Sequence, residues 1–205
     1  MEDVLEVYQR HYEDDEVLVC MDETSKQHIR ETRIPLPIRP REPEKFDYEY
    51  ERNGVSNLFM LFAPLEGWRH VKVTDRHTKI DWAQLIKELV DEHYPKKKII
   101  LVMDNLNTHK LGSLYEAFKP AEARRIADRL EIHYTPKHGS WLDMAEIEIG
   151  VLSRQCLNRR LPDQKTLRRE INAWQNTRNR KAIRVDWRFT AEDARVKLKS
   201  LYPSI

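Results

Sequence analysis

Two runs of five apolar residues, each closed by an acid, constrain this chain more than any other feature. Val17-Leu18-Val19-Cys20-Met21 leads into Asp22-Glu23, and Ile99-Ile100-Leu101-Val102-Met103 leads into Asp104. Neither run alternates, so neither reads as a strand with one wet face. Unbroken apolar strands belong in a parallel sheet covered by helices on both sides. A covering helix is written between them: Trp82, Leu85, Ile86, Leu89 and Val90 fall at i, i+3, i+4, i+7 and i+8, which predicts an amphipathic helix from Ile80 to Tyr94, stopped by Pro95. Upstream, Ser56 to Ala63 and Arg69 to Thr74 flank Pro64 to Gly67 and predict an antiparallel hairpin. It follows a weakly alternating stretch from Phe46 to Glu51 and a turn at Asn53-Gly54. Ile132 to Tyr134, just ahead of Pro136, reads as a short fifth strand. A hairpin followed by strand-helix-strand units is an α/β arrangement: a mixed five-stranded sheet flanked by helices, not an all-parallel doubly wound one.

The other segments fit around that sheet. Val4 to Tyr12 carries apolar residues at 4, 5, 7, 8 and 12, a short lead-in helix ended by the acidic run Glu13 to Glu16. Residues 33–43 hold four prolines among charges, an extended connector that no helix can occupy. Residues 111–130 read as helical pieces broken at Pro120, and helices are predicted over Leu142–Leu157, Leu167–Thr177 and Ala191–Leu201. At 205 residues the chain has room for one domain with a sizeable core. Its expected division is a lead-in helix over 1–16, a core over 17–157 and a basic helical C-terminal extension over 158–205. Several classes drop out. The five glycines never approach the spacing of a dinucleotide or nucleotide phosphate loop. Cys20 and Cys156 lack any CxxC or CxxH spacing, so they make neither a disulfide framework nor a zinc site, and read as buried thiols. The longest mid-chain apolar run, Leu58 to Ala63, is six residues, against roughly 20 for a membrane span. The acidic start does not resemble a secretory signal.

Charge is segregated beneath a formal net value of +2. Met1 to Glu23 holds nine acids and one base, whereas Arg154 to Arg184 holds ten bases, with Arg159-Arg160 and Arg168-Arg169 doublets, against two acids. A basic stretch this dense is what neutralising a phosphate backbone requires, each contact releasing a condensed counterion. A solvated helix face, or one paired with the acidic N-terminus, has the same composition.

The strand-end acids carry the chemistry. Neighbouring strands place their ends within a few ångströms of each other, so Asp22 and Asp104 would converge on one spot. Hard oxygen ligands there suit Mg²⁺ or Mn²⁺. Two such ions activate a water or hydroxyl and stabilise the leaving oxygen in phosphodiester cleavage, provided a third carboxylate joins them. The helix starting near Leu142 offers Glu146 and Glu148, behind a Ser140-x-x-Asp143 cap signature. Its apolar stripe is Leu142, Ala145, Ile149, Leu152 and Cys156. At roughly 100° per residue both glutamates lie at the edges of that stripe, on opposite sides, and periodicity does not choose between them. Glu23 points to the opposite strand face from Asp22 and is assigned a structural role. Lys137, His138 and Trp141 flank the third acid, where Lys can bind phosphate and Trp can stack on an unpaired base or pack at the helix start. A single strand-end Asp is more often a turn or helix cap than a ligand, but three converging acids beside a basic stretch indicate a nuclease.

Taken together, Met21-Asp22-Glu23-Thr24-Ser25, the block Val102-Met103-Asp104-Asn105-Leu106-Asn107-Thr108-His109-Lys110, and the block from Tyr134-Thr135-Pro136-Lys137-His138 through Asp143-Met144-Ala145-Glu146 resemble the three catalytic blocks of DDE transposases. The resemblance is to the bacterial insertion-sequence relatives of the mariner superfamily. It runs on through Trp187-x-Phe189-Thr190 to Leu201-Tyr202-Pro203. It implies an RNase H-like fold and selects Glu146 over Glu148, making Asp22, Asp104 and Glu146 the catalytic carboxylates for two Mg²⁺ (or Mn²⁺). Asn105, His109 and His138 become auxiliary. Lys110, Lys137, Trp141, Arg154, Arg159, Arg160, Arg168 and Arg169 are the residues expected on DNA. Position 143 departs from the pattern: it is Asp where the related motif usually carries Asn, either raising metal affinity or capping the helix.

The activity implied is that of a cut-and-paste transposase, in which a metal-activated water cleaves transposon ends and the freed 3′ hydroxyls attack TA target dinucleotides. The implied partners are double-stranded DNA bearing the inverted-repeat ends and the target, a second copy of the chain on that DNA, and a helix-turn-helix recognition part supplied by a separate polypeptide or an N-terminal region. No membrane partner is expected, and the expected location is the bacterial cytoplasm, on the nucleoid when DNA is bound. A stand-alone RNase H-like nuclease and an inactive DNA-binding transposase remnant are the alternative readings. A phosphoacceptor receiver domain also pairs strand-end acids, but the hairpin breaks its strict βα alternation.

Overall fold

The computed structural model describes residues 1–202 other than Glu44, Phe46 and His138. Its five strands are β1 (Glu16–Glu31), β2 (Tyr50–Ala63), β3 (Trp68–Thr74), β4 (Lys98–Met103) and β5 (Leu130–Tyr134), in the order β3-β2-β1-β4-β5. β1, β4 and β5 run parallel, while β2 pairs antiparallel with both β1 and β3. This is the mixed sheet that the hairpin and the two apolar runs predict. The helices are α1 (Glu2–Gln9), α2 (Lys79–Glu88), α3 (Leu111–Ala117), α4 (Pro120–Ala127), α5 (Met144–Leu152), α6 (Gln164–Arg180) and α7 (Ala191–Lys197).

Both sheet faces are covered, which is why β1 and β4 are apolar without alternation. Leu18, Cys20, Ile100 and Val102 face a core built with α1, α5, α6 and α7. Val17, Val19, Met21, Ile99, Leu101 and Met103 face a second core, with α2, α3 and α4. Cys20 and Cys156 are buried free thiols. Among the described residues no helix is long and apolar enough to cross a membrane.

Several boundaries differ from the sequence expectation, each for a physical reason. β1 does not stop at Asp22-Glu23 but runs on to Glu31, held by its antiparallel pairing with β2. The true end at Asp22 is that of the parallel pairing with β4, whose last pair is Met21↔Met103. Asn53-Gly54 is not a turn: it lies inside β2, opposite a register shift between Gln27 and Ile29, and Gly54 supplies a φ of +90° there. Phe46, where alternation was expected to start, lies outside the described residues. The lead-in helix ends at Gln9 rather than Tyr12. The helix expected over Leu142–Leu157 is a 3₁₀ turn (Ser140–Leu142), then α5, then a π turn (Ser153–Leu157). Its N-cap is Asp143, which accepts from the Ala145 N–H at 2.8 Å, and not Ser140.

One buried ionic cluster ties α5 to the rest. Glu148, 2% exposed, meets the fully buried Arg69 of β3 at 2.8 Å and accepts two hydrogen bonds from Arg178 of α6, at 2.7 and 3.1 Å. Arg69 also donates to the Gly67 and Ile183 carbonyls, both at 2.8 Å. Removing one member of such a cluster leaves an uncompensated buried charge. Arg69→Met is therefore expected to lower the unfolding free energy by about 3–5 kcal/mol, read as a shifted urea midpoint at unchanged m. Arg69→Lys, which keeps the charge but not the planar fork, should fall in between.

Candidate metal and nucleic-acid site

Strand register brings the first two acids together. Met21 and Met103 are the last parallel pair between β1 and β4, and the next residue in each chain segment is an aspartate. Asp22 and Asp104 therefore leave neighbouring strands, roughly 4.8 Å apart, at the same level. Alternation puts Asp22 on the face of Leu18 and Cys20, against which α5 packs. Glu146 sits in the first turn of α5.

The field at this point is strongly negative. The Asp22 carboxyl is pushed up to about 7, first by burial and then by the charges of Glu23, Asp104 and Glu146, against the help of the Glu23 N–H it accepts at 2.8 Å. Asp143, 2% exposed, is raised well above the ordinary carboxylate range by burial first, then by Asp22, with Asp104 and Glu146 adding to it. Its Oδ1 caps α5, and its Oδ2 has no hydrogen-bond partner among the described residues. Asp143 thus does serve as the helix cap, while standing as a fourth carboxyl in the site.

The periodicity left Glu146 and Glu148 equivalent, but the structure separates them. Glu148 is turned into the Arg69–Arg178 cluster, whereas Glu146 is exposed and lies within the electrostatic reach of Asp22. Asp22, Asp104 and Glu146 do not close into one tight ligand group. The tight group at this spot is Glu23, Asp104 and His109, whose ligand atoms lie within 4.8 Å of one another.

His109, expected as an auxiliary residue, stands between two carboxylates of this group. It is 1% exposed, with Nδ1 2.6 Å from Asp104 Oδ1 and Nε2 3.2 Å from Glu23 Oε2. Burial opposes its charge, but the hydrogen bond to Asp104 and the Glu23 carboxylate beside it prevail and raise the imidazole to about 9. It is therefore a buried imidazolium clamped between two carboxylates, with the Trp82 ring stacked at 6.2 Å. Glu23 does point to the opposite face from Asp22, but its role there is to hold His109. The signal was present in the alternation of β1, since the α2 face that receives Glu23 is the one where His109 lies.

A cleft of about 400 Å³ opens beside Asp104, lined by Asn105, Leu106, Thr135, Pro136, Lys137 and Ser140. Lys110 donates to Asn107 at 3.3 Å. Trp141 is 40% exposed, stacked on Trp187 and edge-on to Phe189. His138 lies outside the described residues. Arg154 shares a separate cleft of about 420 Å³ with Thr24, Ser25 and Lys26, which follow Asp22 along β1. Much of the basic stretch is engaged internally. Arg159 and Arg169 both pair with Glu170, and Arg160 pairs with Glu31 and donates to the Asp47 carbonyl at 2.9 Å. Arg168 bonds Gln164 at 3.4 Å. Among the described residues, no ion pair joins Arg154–Arg184 to Met1–Glu23; the N-terminal acids pair elsewhere, Glu2 with Arg195 and Asp3 with His133.

The donors fit a hard divalent cation: they are carboxylate oxygens, Asp22 has its proton affinity raised by burial and by the neighbouring carboxylates, and the buried Asp143 Oδ2 is unpartnered among the described residues. A family model described as DDE superfamily endonuclease matches residues 17–168. The chain belongs to this family. The comparison with curated proteins yields no match. Among solved structures, this DDE endonuclease is similar to the Mos1 transposase paired-end complex with the left transposon end, at TM-score 0.60 and 12% identity over 89% of this chain and 56% of that one. It is also similar to the Mos1 mariner paired-end complex with Mn, at 0.58 and 13% over 89% and 55%, and to the Mos1 strand transfer complex, at 0.56 and 12% over 89% and 58%. The chain thus spans little more than half the length of these transposase chains, and what it shares with them is the RNase H-like fold.

Burial of these groups has a measurable consequence without metal. Asp22 is raised from 3.8 to about 7 in the folded state, so its ionisation destabilises the fold, and stability falls as pH rises across that window. His109 is raised from 6.5 to about 9, so the stability it contributes below 6.5 is lost as pH rises through 9. In chelator-treated protein, Asp22→Asn is expected to flatten the fall of melting temperature with pH between about 4 and 7. His109→Gln should flatten it only above about 6.5. Thermal melts across pH separate the two windows.

Proposed function

We propose that this endonuclease is the catalytic domain of a cut-and-paste transposase of the insertion-sequence branch, cleaving DNA at transposon ends and joining the freed 3′ ends to target DNA at TA dinucleotides. The observation that carries it is the register coincidence at Met21↔Met103, from which Asp22 and Asp104 follow on neighbouring strands, with Glu146 in the first turn of α5 close enough to raise the proton affinity of Asp22. Asp22, Asp104 and Glu146 would hold two Mg²⁺ (or Mn²⁺). Those ions, when bound, supply Lewis-acid activation of the attacking oxygen and charge stabilisation at the leaving oxygen. The chain's own residues do the rest. His109 fixes one oxygen of Asp104, Oδ1, and so the orientation of its carboxylate. Asp143 locks the first turn of α5 and so the placement of Glu146. Lys137 and Asn105 line the cleft leading to Asp104, and Arg154 and Lys26 line the one beyond Asp22, so a phosphate backbone laid across the acids would meet a cation on either side.

The similarity to Mos1 complexes with transposon-end DNA supports double-stranded DNA as partner, with two copies of the chain acting on it. Recognition of the ends would fall to a helix-turn-helix part outside this sequence, and the working location would be the bacterial cytoplasm, on the nucleoid. A stand-alone nuclease would cut DNA or hybrids regardless of transposon ends, and a DNA-binding remnant would not cut at all.

The test is Mn²⁺-dependent nicking of DNA carrying the element's inverted repeats, against scrambled DNA as competitor. Asp104→Asn and Glu146→Gln are expected to reduce nicking by at least about 100-fold, assayed below the melting temperature of each variant. His109→Gln, which loses an orienting partner of a ligand, is expected to cost about 10–100-fold. Full nicking in Asp104→Asn would refute the assignment, and equal cutting of scrambled DNA would favour the stand-alone nuclease.

A further inference from the structure

A second cluster of metal-ligating side chains lies away from the acids described above. It is built by β3, the end of α2 and the π turn that follows it, Leu89–His93. His70 Nε2 stands 3.5 Å from Glu88 Oε1, and the His70 and His93 rings are 4.7 Å apart between centroids. One ligand atom from each of His70, Glu88 and His93 lies within 4.8 Å of the others. The Nε2 atoms of His70 and His93 are both buried without a hydrogen-bond partner among the described residues.

The backbone is shaped to make this meeting. Glu88 and His93 are five residues apart, which in a regular α-helix at roughly 100° per residue sets them about 140° apart. The π turn, closed by the Tyr94 N–H to Leu89 carbonyl bond at 2.9 Å, brings positions i and i+5 toward the same side. Alternation along β3 does the same for His70: Val71 and Val73 enter the α5 and α6 core, so His70 and Lys72 face α2. His70 is in register with Leu61, and Leu61 with Met21, so the cluster lies two strands across from β1 and on the sheet face opposite Asp22.

We propose that His70, Glu88 and His93 form a second metal site, one for zinc, that clamps the end of α2 to the edge strand β3. Two imidazole nitrogens and one carboxylate oxygen are a zinc donor set, with a fourth position left for water. Tetrahedral bonds of about 2.0–2.1 Å require ligand atoms roughly 3.3 Å apart, which the His70–Glu88 pair already approaches. Burial, aided by His93, pushes His70 down to about 4, and burial lowers His93 as well, so both rings are neutral near pH 7 and offer lone pairs. Lys72 holds the other Glu88 oxygen and orients Oε1 toward the imidazoles. Trp68 packs on both rings, its centroid 6.2 Å from that of His70 and 4.8 Å from that of His93, as a hydrophobic wall.

The experiment uses the full chain carrying Asp22→Asn and Asp104→Asn, so that the carboxylate site is disabled and only the second site reports. Equimolar Co²⁺ is expected to give the visible d–d bands of a four-coordinate ion, displaced by one equivalent of Zn²⁺. His70→Ala or His93→Ala added to this background should weaken binding by on the order of 100-fold. If either variant fails to fold, a zinc-soaked crystal of the unaltered chain replaces it, with an anomalous peak expected between the three side chains. Loss of Co²⁺ binding in the double Asn protein, unchanged affinity in both His variants, or a zinc peak confined to Asp22 and Asp104 would overturn the proposal. None of these readouts requires DNA cleavage, so failure of the transposase reading leaves it standing.

Discussion

Everything at the site follows from carboxyl groups being forced together faster than the protein supplies positive charge to balance them. Asp22, Asp104, Glu146 and the buried Asp143 act on one another electrostatically where the parallel pairing of β1 and β4 ends, and a full set of ionised groups there would repel itself. The fold answers in two ways. One is proton retention, with the Asp22 carboxyl raised to about 7 and that of Asp143 raised well above the ordinary carboxylate range by burial and its acidic neighbours. The other is the buried imidazolium of His109, held by Asp104 and Glu23. A divalent cation would displace the protons on Asp22, and metal affinity should therefore rise with pH through that range.

The position of α5 makes this crowding possible, and a different electrostatic solution supports it. Two glutamates, two residues apart on one short helix, have opposite tasks: Glu148 anchors the helix to Arg69 on β3 and Arg178 on α6, and this leaves Glu146 to face the sheet end. The anchor is buried, paired with two arginines and backed by hydrogen bonds from Arg178 to Glu148 and from Arg69 to two carbonyls, the setting in which a buried ion pair can specify geometry. The free glutamate is not. Losing Glu148 would leave Arg69 and Arg178 without their carboxylate partner.

Much of the fold was legible because the strongest patterns were also the most local. The two apolar runs, the i, i+3, i+4 spacing around Trp82 and the break at Pro120 each record burial or backbone geometry within one segment. Errors fell where partners lie far away in sequence. β1 runs nine residues past Asp22 because β2 pairs with it, and nothing in residues 23–31 states that. Gly54 reads as a turn until the register shift opposite it is known. The choice between Glu146 and Glu148 depends on Arg69, nearly eighty residues upstream, a contact no helical wheel contains. The clamp on His109 was half visible: alternation placed Glu23 on the correct face, but only the loop after β4 shows what waits there.

The basic C-terminal stretch shows why charge counts overstate a nucleic-acid footprint. Ten bases stand between Arg154 and Arg184, yet Arg159, Arg160, Arg169 and Arg178 are tied to Glu170, Glu31 and Glu148 within the fold. An arginine held in an internal pair releases no counterion when DNA arrives unless that pair is first broken, so such residues add little to the salt slope of binding. The positions best placed for phosphate are those bordering the acids, Lys137 in the cleft beside Asp104 and Arg154 in the cleft beyond Asp22. A cation beside a carboxylate cluster is the arrangement a polyanion requires, because the same acids that would bind metal otherwise repel the backbone to be cut.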